Sequence, residues 1–223
     1  YCIASRSAPL SINPKTALKI GKENVKQFFS VGIPSAILTA LFDVASICVN
    51  ILASAHNDLV LAGMGIVMKV ERIPNAINIG LCQGMLPIVA YNYSSGNRKR
   101  MNDTVRYARI CGLIVSFLCI LFLEIFAGPV SGVFLSTSSG NVQTALKTVA
   151  LATIYLRIRC LGSPVQFINY HTSFCMQAMG KGKETLIHAT VRELVFYIPL
   201  MFLLNHLFGD IGLASALPVG EGL

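Results

Sequence analysis

Residues 107–134 read YARICGLIVSFLCILFLEIFAGPVSGVF, and no charged residue separates Arg109 from Glu124. The run exceeds the roughly 20 apolar residues that carry a helix across about 30 Å of hydrocarbon. Four more runs of similar character accompany it, at residues 31–55, 59–93, 145–179 and 186–208. A further one opens at 211–219 and is cut off at Leu223. None shows the short alternating segments of a strand barrel. The pattern predicts an all-α, polytopic membrane helix bundle of five full spans plus the start of a sixth.

Composition points the same way. Of the 223 residues 54% are hydrophobic and 13% charged, with a mean hydropathy of +0.64. A soluble domain carries about 25% charged residues, so this chain cannot clothe a globular surface in polar groups. A secreted disulfide scaffold, a disordered tail and a cytosolic enzyme all fit poorly. The net charge of +8 would suit nucleic acid only if the cations shared an exposed face. They fall between the apolar runs instead, so no nucleic-acid partner is expected. The seven cysteines are odd in number and form no CxxC pair, which reads as small buried thiols in a reducing or lipid environment. The four histidines lack ligand spacing, so neither a metal nor another cofactor is expected. The chain opens on Tyr1 with no signal-peptide pattern and reads as a fragment.

Orientation follows from the cations. Arg6, Lys15, Lys19, Lys22 and Lys26 precede the first span. Arg98, Lys99, Arg100, Arg106 and Arg109 follow the second, and Lys181 and Lys183 follow the fourth. The alternate loops, at residues 56–58, 136–143 and 209–210, are almost free of them. The positive-inside rule places the basic set in the cytoplasm. Start and stop signals agree: Gly32-Ile33-Pro34-Ser35 opens the first span with proline in its first turn, where no helical hydrogen bond is lost. Ser94-Ser95-Gly96-Asn97 closes the second, and Gly180-Lys181-Gly182-Lys183 joins the fourth to the fifth. Pro74, Pro87, Pro164 and Pro199 are expected to bend or break the helices that contain them.

Ionisable groups within spans are costly and usually face a cavity or a partner. At about 100° per residue, Thr39, Asp43, Ser46 and Asn50 fall within an arc of about 60°. The stripe is either a structural seam between helices or a coupling site in which Asp43, with Asn50, carries an ion or proton. On the second span Glu71, Asn75 and Asn78 share a face, with Gln83 further along and Lys69 and Arg72 pointing elsewhere. They either pair with neighbouring helices or line a pathway. Gln166, Tyr170, Ser173 and Gln177 make a third stripe, again a packing seam or a substrate surface. Arg157 and Arg159 can pair with Glu71, Glu124 or Glu193. Arg192-Glu193 reads as an anchoring pair near the cytoplasmic end of the fifth span. Enzyme motifs fail: Gly182-Lys183 is followed by Glu184, so there is no P-loop, and no HExxH or GxSxG occurs.

One stretch names a family. Gly63-Met64-Gly65-Ile66-Val67, Ile73-Pro74, Gly80-Leu81-Cys82-Gln83-Gly84 and Pro87 run into Tyr91-Asn92-Tyr93-Ser94-Ser95-Gly96-Asn97 and Arg100. This resembles the eighth membrane helix and following loop of the multidrug and toxic compound extrusion (MATE) family, in its bacterial multidrug-export branch. Gly32-Ile33-Pro34-Ser35 resembles the start of the seventh helix, Gln177-Ala178-Met179-Gly180-Lys181 the end of the tenth, and Gly209 to Pro218 the entry to the twelfth. The resemblance covers nearly the whole chain.

It implies a twelve-helix, inverted-V transporter of two six-helix lobes. Residues 1–30 would be a cytoplasmic inter-lobe linker, and residues 31–223 the C-terminal lobe, truncated in its last helix. It also implies export of drugs or organic cations, cationic or amphipathic, by antiport against Na⁺ or H⁺ across the cell membrane, with the N-terminal lobe as partner and the bilayer as solvent. Asp43 sits near an acidic position that one branch uses for its cation. That branch's second acidic position, on the tenth helix, is nearest to Gln166 here, so the charge is missing. A lipid-linked oligosaccharide flippase of related fold is the alternative; it should line its cavity with cations such as Lys69, Arg72, Arg157 and Arg159.

Overall fold

The helix from Arg98 to Val133 shows how the chain meets its solvent. Gly112, Ser116, Leu123, Ala127 and Ser131 recur at helical spacing and are buried. Ile114, Phe117, Leu121 and Ile125, on the other side, are each more than half exposed. Small residues inward and large apolar ones outward is the arrangement for a helix whose outer face wets hydrocarbon. The computed structural model describes residues 22–134 and 142–222. Its helices are α1 (Lys22–His56), α2 (Asp58–Ser94), α3 (Arg98–Val133), α4 (Val142–Cys160), α5 (Ser163–Ala178) and α6 (Gly182–Thr190). A π-helical segment, Val191–Tyr197, then leads into α7 (Ile198–Glu221).

The side chains of Asn57 and Asn97 start α2 and α3 by accepting hydrogen bonds from Val60 N (2.8 Å) and Arg100 N (3.2 Å). Each satisfies a backbone donor that has no partner within its helix. Pro74 and Pro87 lie inside α2 and do not end it. α1 begins at Lys22, upstream of the expected start, so Pro34 lies within the helix and not in its first turn. The expected linker at residues 1–30 falls outside the described residues up to 21, and residues 22–30 are already helical.

Among the described residues, Thr39–His56, Asp58–Ser94, Arg98–Val133 and Gly182–Glu221 are long and apolar enough to cross a membrane. The expected single span at 145–179 differs: it is two helices, α4 and α5, parted at Leu161-Gly162. Pro164 stands at the start of α5, where its missing N–H is harmless. Both pieces run beside α2 in the same direction. Gly63 faces Ala152, Cys82 clusters with Phe167 and Tyr170, and Val89 clusters with Ala178. They therefore make one crossing in two parts.

The stretch from Gly182 to Glu221 is the opposite case, one crossing and the start of another in one apolar run. Gly209 has φ 63° and ψ −139°, a region essentially closed to residues with a Cβ. The chain reverses there and brings Glu221 back to Arg192, with N to O 3.5 Å. Tyr155 OH donates to Asp210, beside the turn. The sixth span thus opens where the sequence places it.

The main core gathers Val49, Met64, Val67, Leu123, Tyr155, Leu156 and Met201 from five helices. The ends sort by charge. His56 Nε2 lies 2.8 Å from Asn205 Oδ1, so the loop at residues 56–58 and the Gly209 turn share one end. Met101 and Val105 pack with Val89 and Ala178, which puts the two basic turns together at the other. Asn57 and Asn97 are caps, so a single-cysteine test of the orientation is best made one or two residues beyond each. In intact cells lacking native cysteines, Asp58→Cys is expected to react with an impermeant maleimide and Lys99→Cys to be protected. The reverse pattern would invert the orientation.

Candidate functional site

Two neighbouring cavities lie among these helices. The first, about 300 Å³, is bounded by α1, α2, the α4–α5 crossing, the π segment and the end of α7. Asp43 and Ser46 reach it from α1, Glu71 and Asn75 from α2, and Gln166 and Tyr170 from α5. These are six of the residues singled out in the sequence. The second, about 320 Å³, lies towards the basic turns and takes Thr39, Gln83, Ser173 and Gln177 into its lining. Phe42, Ile79 and Tyr170 belong to both and form the wall between them.

Two expected residues lie elsewhere. Asn50 is exposed on α1 and lines neither cavity. It lies one helical turn beyond Ser46 on the exposed side, while its neighbour Val49 lines the first cavity. Asn78 is 1% exposed and its Oδ1 accepts from Ser116 Oγ at 3.4 Å. It sits at the edge of the Glu71–Asn75 arc, beyond Pro74, where the face of α2 has passed to α3.

The charged cavity is held by buried ion pairs. Arg159 grips Glu71 through two hydrogen bonds, Nε to Oε1 at 2.8 Å and Nη2 to Oε2 at 2.9 Å. The side chains are only 5% and 13% exposed, and the two-pronged geometry offsets much of their desolvation. Arg157 turns outward to Glu124 at 3.6 Å, with both side chains substantially exposed, a contact of small energetic weight. The sequence left these pairings open.

Arg192-Glu193 is no interfacial anchor. Both are buried, 2.6 Å apart, and Arg192 also meets Glu221, whose side chain is 5% exposed. Asn169 Nδ2 donates to Glu221 Oε2 at 2.7 Å. The π winding explains how consecutive residues share one interior. At about 100° per residue Arg192, Glu193 and Tyr197 would spread over about 140°. The wider π turn, roughly 80° per residue, draws them into roughly 80°. Glu221 and Tyr197 carried no signal in the sequence, and Arg192-Glu193 read only as an anchoring pair, because their faces are set by this winding and by the Gly209 reversal.

The charges do not balance. Glu71, Glu193 and Glu221 oppose Arg159 and Arg192 in the interior, and Asp43 and Arg72 add one of each sign at the exposed rim. One negative charge is left over. Among the described residues the second cavity has no charged side chain in its lining; three rings, Phe42, Tyr170 and Phe174, face neutral polar groups. No group of three or more metal-ligating side chains occurs among the described residues.

Comparison with known proteins fits this architecture. The family model described as MatE matches residues 34–214. The multidrug export protein MepA of Staphylococcus aureus is 27% identical over 214 residues, 96% of this chain and 45% of the relative. MepA of Staphylococcus haemolyticus is 28% identical over 216 residues, 97% and 45%. The chain spans about half the length of the curated relatives it matches. Two solved structures share the fold. A MOP superfamily transporter from Pyrococcus furiosus gives a TM-score of 0.85 at 18% identity, covering 97% of this chain and 47% of that one. The Vibrio cholerae MATE transporter VcmN in its bent form gives 0.81 at 17% identity, covering 93% and 48%. This is a multi-pass membrane protein of a transporter family, not an enzyme. With the family model spanning most of its length, the chain belongs to the MatE family.

Proposed function

We propose that this chain is the C-terminal lobe of a secondary multidrug antiporter, which exports cationic or amphipathic compounds against inward Na⁺ or H⁺. The observation that carries the reading is the unbalanced carboxylate in the first cavity. A buried charge without a counter-charge is strongly unfavourable, so the set holds together best with one small monovalent cation or one proton. Such a site is loaded from one side of the membrane and emptied to the other as the two lobes rock about it. The exposed rim at Asp43 and Thr39 is the surface left for the other lobe. The coupling ion is cargo, and no other cofactor is required.

The same geometry weighs against the flippase. Arg159 and Arg72 line the cavity, but Arg159 is tied to Glu71 and Arg72 stands at the exposed rim, where Asp43 matches its charge. Arg157 lies outside it with Glu124, and Lys69 is exposed away from it. A surplus of negative charge is a poor lining for a polyprenyl phosphate.

The test is ethidium efflux by the complete transporter in proteoliposomes, with the Na⁺ and H⁺ gradients collapsed separately. Efflux is expected to stop with one of them. Glu193→Gln and Asp43→Asn should insert normally, and each should weaken or abolish gradient-driven efflux. The 223-residue chain alone should transport nothing. Efflux indifferent to both gradients would overturn the antiport reading. Unchanged efflux in both variants would reduce these carboxylates to packing.

A further inference from the structure

The second cavity poses a separate question, namely what a chamber without charge recognises. Three features of its wall bear on it. Phe42 and Tyr170 present tilted rings with centroids 5.7 Å apart, and Phe174 adds a third ring. Thr39, Gln83 and Ser173 supply neutral donors and acceptors. The third feature lies behind the wall. Arg192, held by Glu193 and Glu221, sets its Cζ 5.3 Å from the Phe42 centroid and 5.7 Å from that of Tyr170.

A ring attracts a cation through its quadrupole at separations up to about 6 Å. Both shared rings are already within that distance of a guanidinium. A second cation brought into the chamber meets two rings whose attraction is already engaged by a guanidinium, and no carboxylate among the described residues of the lining. An uncharged aromatic ligand suffers none of these penalties. It gains ring–ring contact with Phe42, Tyr170 and Phe174, and its heteroatoms can bond the neutral polar groups.

We propose that this chamber is a substrate subsite for the flat aromatic portion of an exported compound, and that it binds neutral ring systems as well as cationic ones. The proposal rests on the export reading above and assigns its charge selectivity. Preference for cations, where the whole transporter has any, arises outside this chamber. Within the lobe, the ion and the ring occupy different cavities that share only Phe42, Ile79 and Tyr170.

The chain contains no tryptophan, so Phe174→Trp installs a reporter in the lining. The complete transporter carrying it, reconstituted in lipid, is titrated with phenanthridine and with N-methylphenanthridinium, which share a ring system and differ in charge. The signal is the quenching in excess of that in the Phe174 parent. Gln83→Trp, at an exposed position of the same lining, provides a second reporter should the first disturb packing. Both probes are expected to quench with dissociation constants within about threefold of each other. Tyr170→Ala should weaken both by about tenfold, while Tyr170→Phe, which keeps the ring, should weaken neither. A cation bound more than about tenfold tighter than its neutral counterpart would overturn the proposal. So would export without quenching at either reporter, which sinks the chamber and leaves the antiport reading standing. Quenching by both probes in a protein that exports nothing would support the chamber and count against that reading.

Discussion

Arg159→Met is expected to leave the lobe poorly folded. The substitution removes a guanidinium whose two bonds to Glu71 measure 2.8 and 2.9 Å and strands a carboxylate that is only 13% exposed. Breaking a buried pair from one side costs about 3–5 kcal/mol, a large part of the roughly 5–15 kcal/mol by which a typical fold is stable. The thermal midpoint in detergent should drop sharply, and the yield of monodisperse protein with it. The paired change Glu71→Leu/Arg159→Met should recover most of the loss, since apolar side chains of similar size replace such pairs at little cost. It also deletes one charge of each sign, so the surplus carboxylate survives. Gradient-dependent efflux should therefore persist in the double variant. If Arg159→Met melts like the parent, the pair contributes nothing to the fold.

The second large effect is steric. A Cβ added at Gly112 would fall within the ring of Phe167, which is fully buried. α3 and α5 approach this closely only because that position has no side chain. Gly112→Val should separate them, with an overpacking cost of about 1–3 kcal/mol or more, and should be visible as lost yield on size exclusion. Gly112→Ala/Phe167→Leu opens space beside the added carbon and is expected to regain part of the stability. Equal yields for Gly112→Val and the parent would mean that the helices part freely here.

The spans were legible because hydropathy acts residue by residue. A run such as residues 107–134 has one stable place, whatever surrounds it. Loop parity was legible for a similar reason, since each basic turn carries its own signal. The polar stripes at Thr39–Asn50 and Gln166–Gln177 could be drawn from helical spacing alone, and most of their members do line cavities. Spacing cannot say which members of a stripe a cavity takes in, and Asn50 stays exposed although Val49 beside it lines the first cavity. Nor can it allow for a proline in the helix, as between Glu71 and Asn78.

Features made by several helices at once were not legible. The division into two cavities depends on Phe42 of α1 meeting Tyr170 of α5. Glu221 is two residues from the end of the sequence and becomes part of the charged cavity only through the reversal at Gly209. The π winding that turns Arg192 and Glu193 inward together has no compositional mark in Val191–Tyr197. The break between α4 and α5 did have one, in Gly162 and Pro164, but the apolar residues on either side masked it.

The reversal at Gly209 also bears on how the protein is made. The turn between these two helices is short, and Gly182–Glu221 as one stretch is long and apolar enough to be taken for a single span. A ribosome feeding this segment to the insertion machinery presents two hydrophobic helices parted by little more than the Gly209-Asp210 turn. They should enter the bilayer as a preformed hairpin. Arg192 and Glu221 would then be shielded by one another during entry, before the remaining helices close around them. The meeting of Arg192 and Glu221 thus depends on one residue that lacks a side chain.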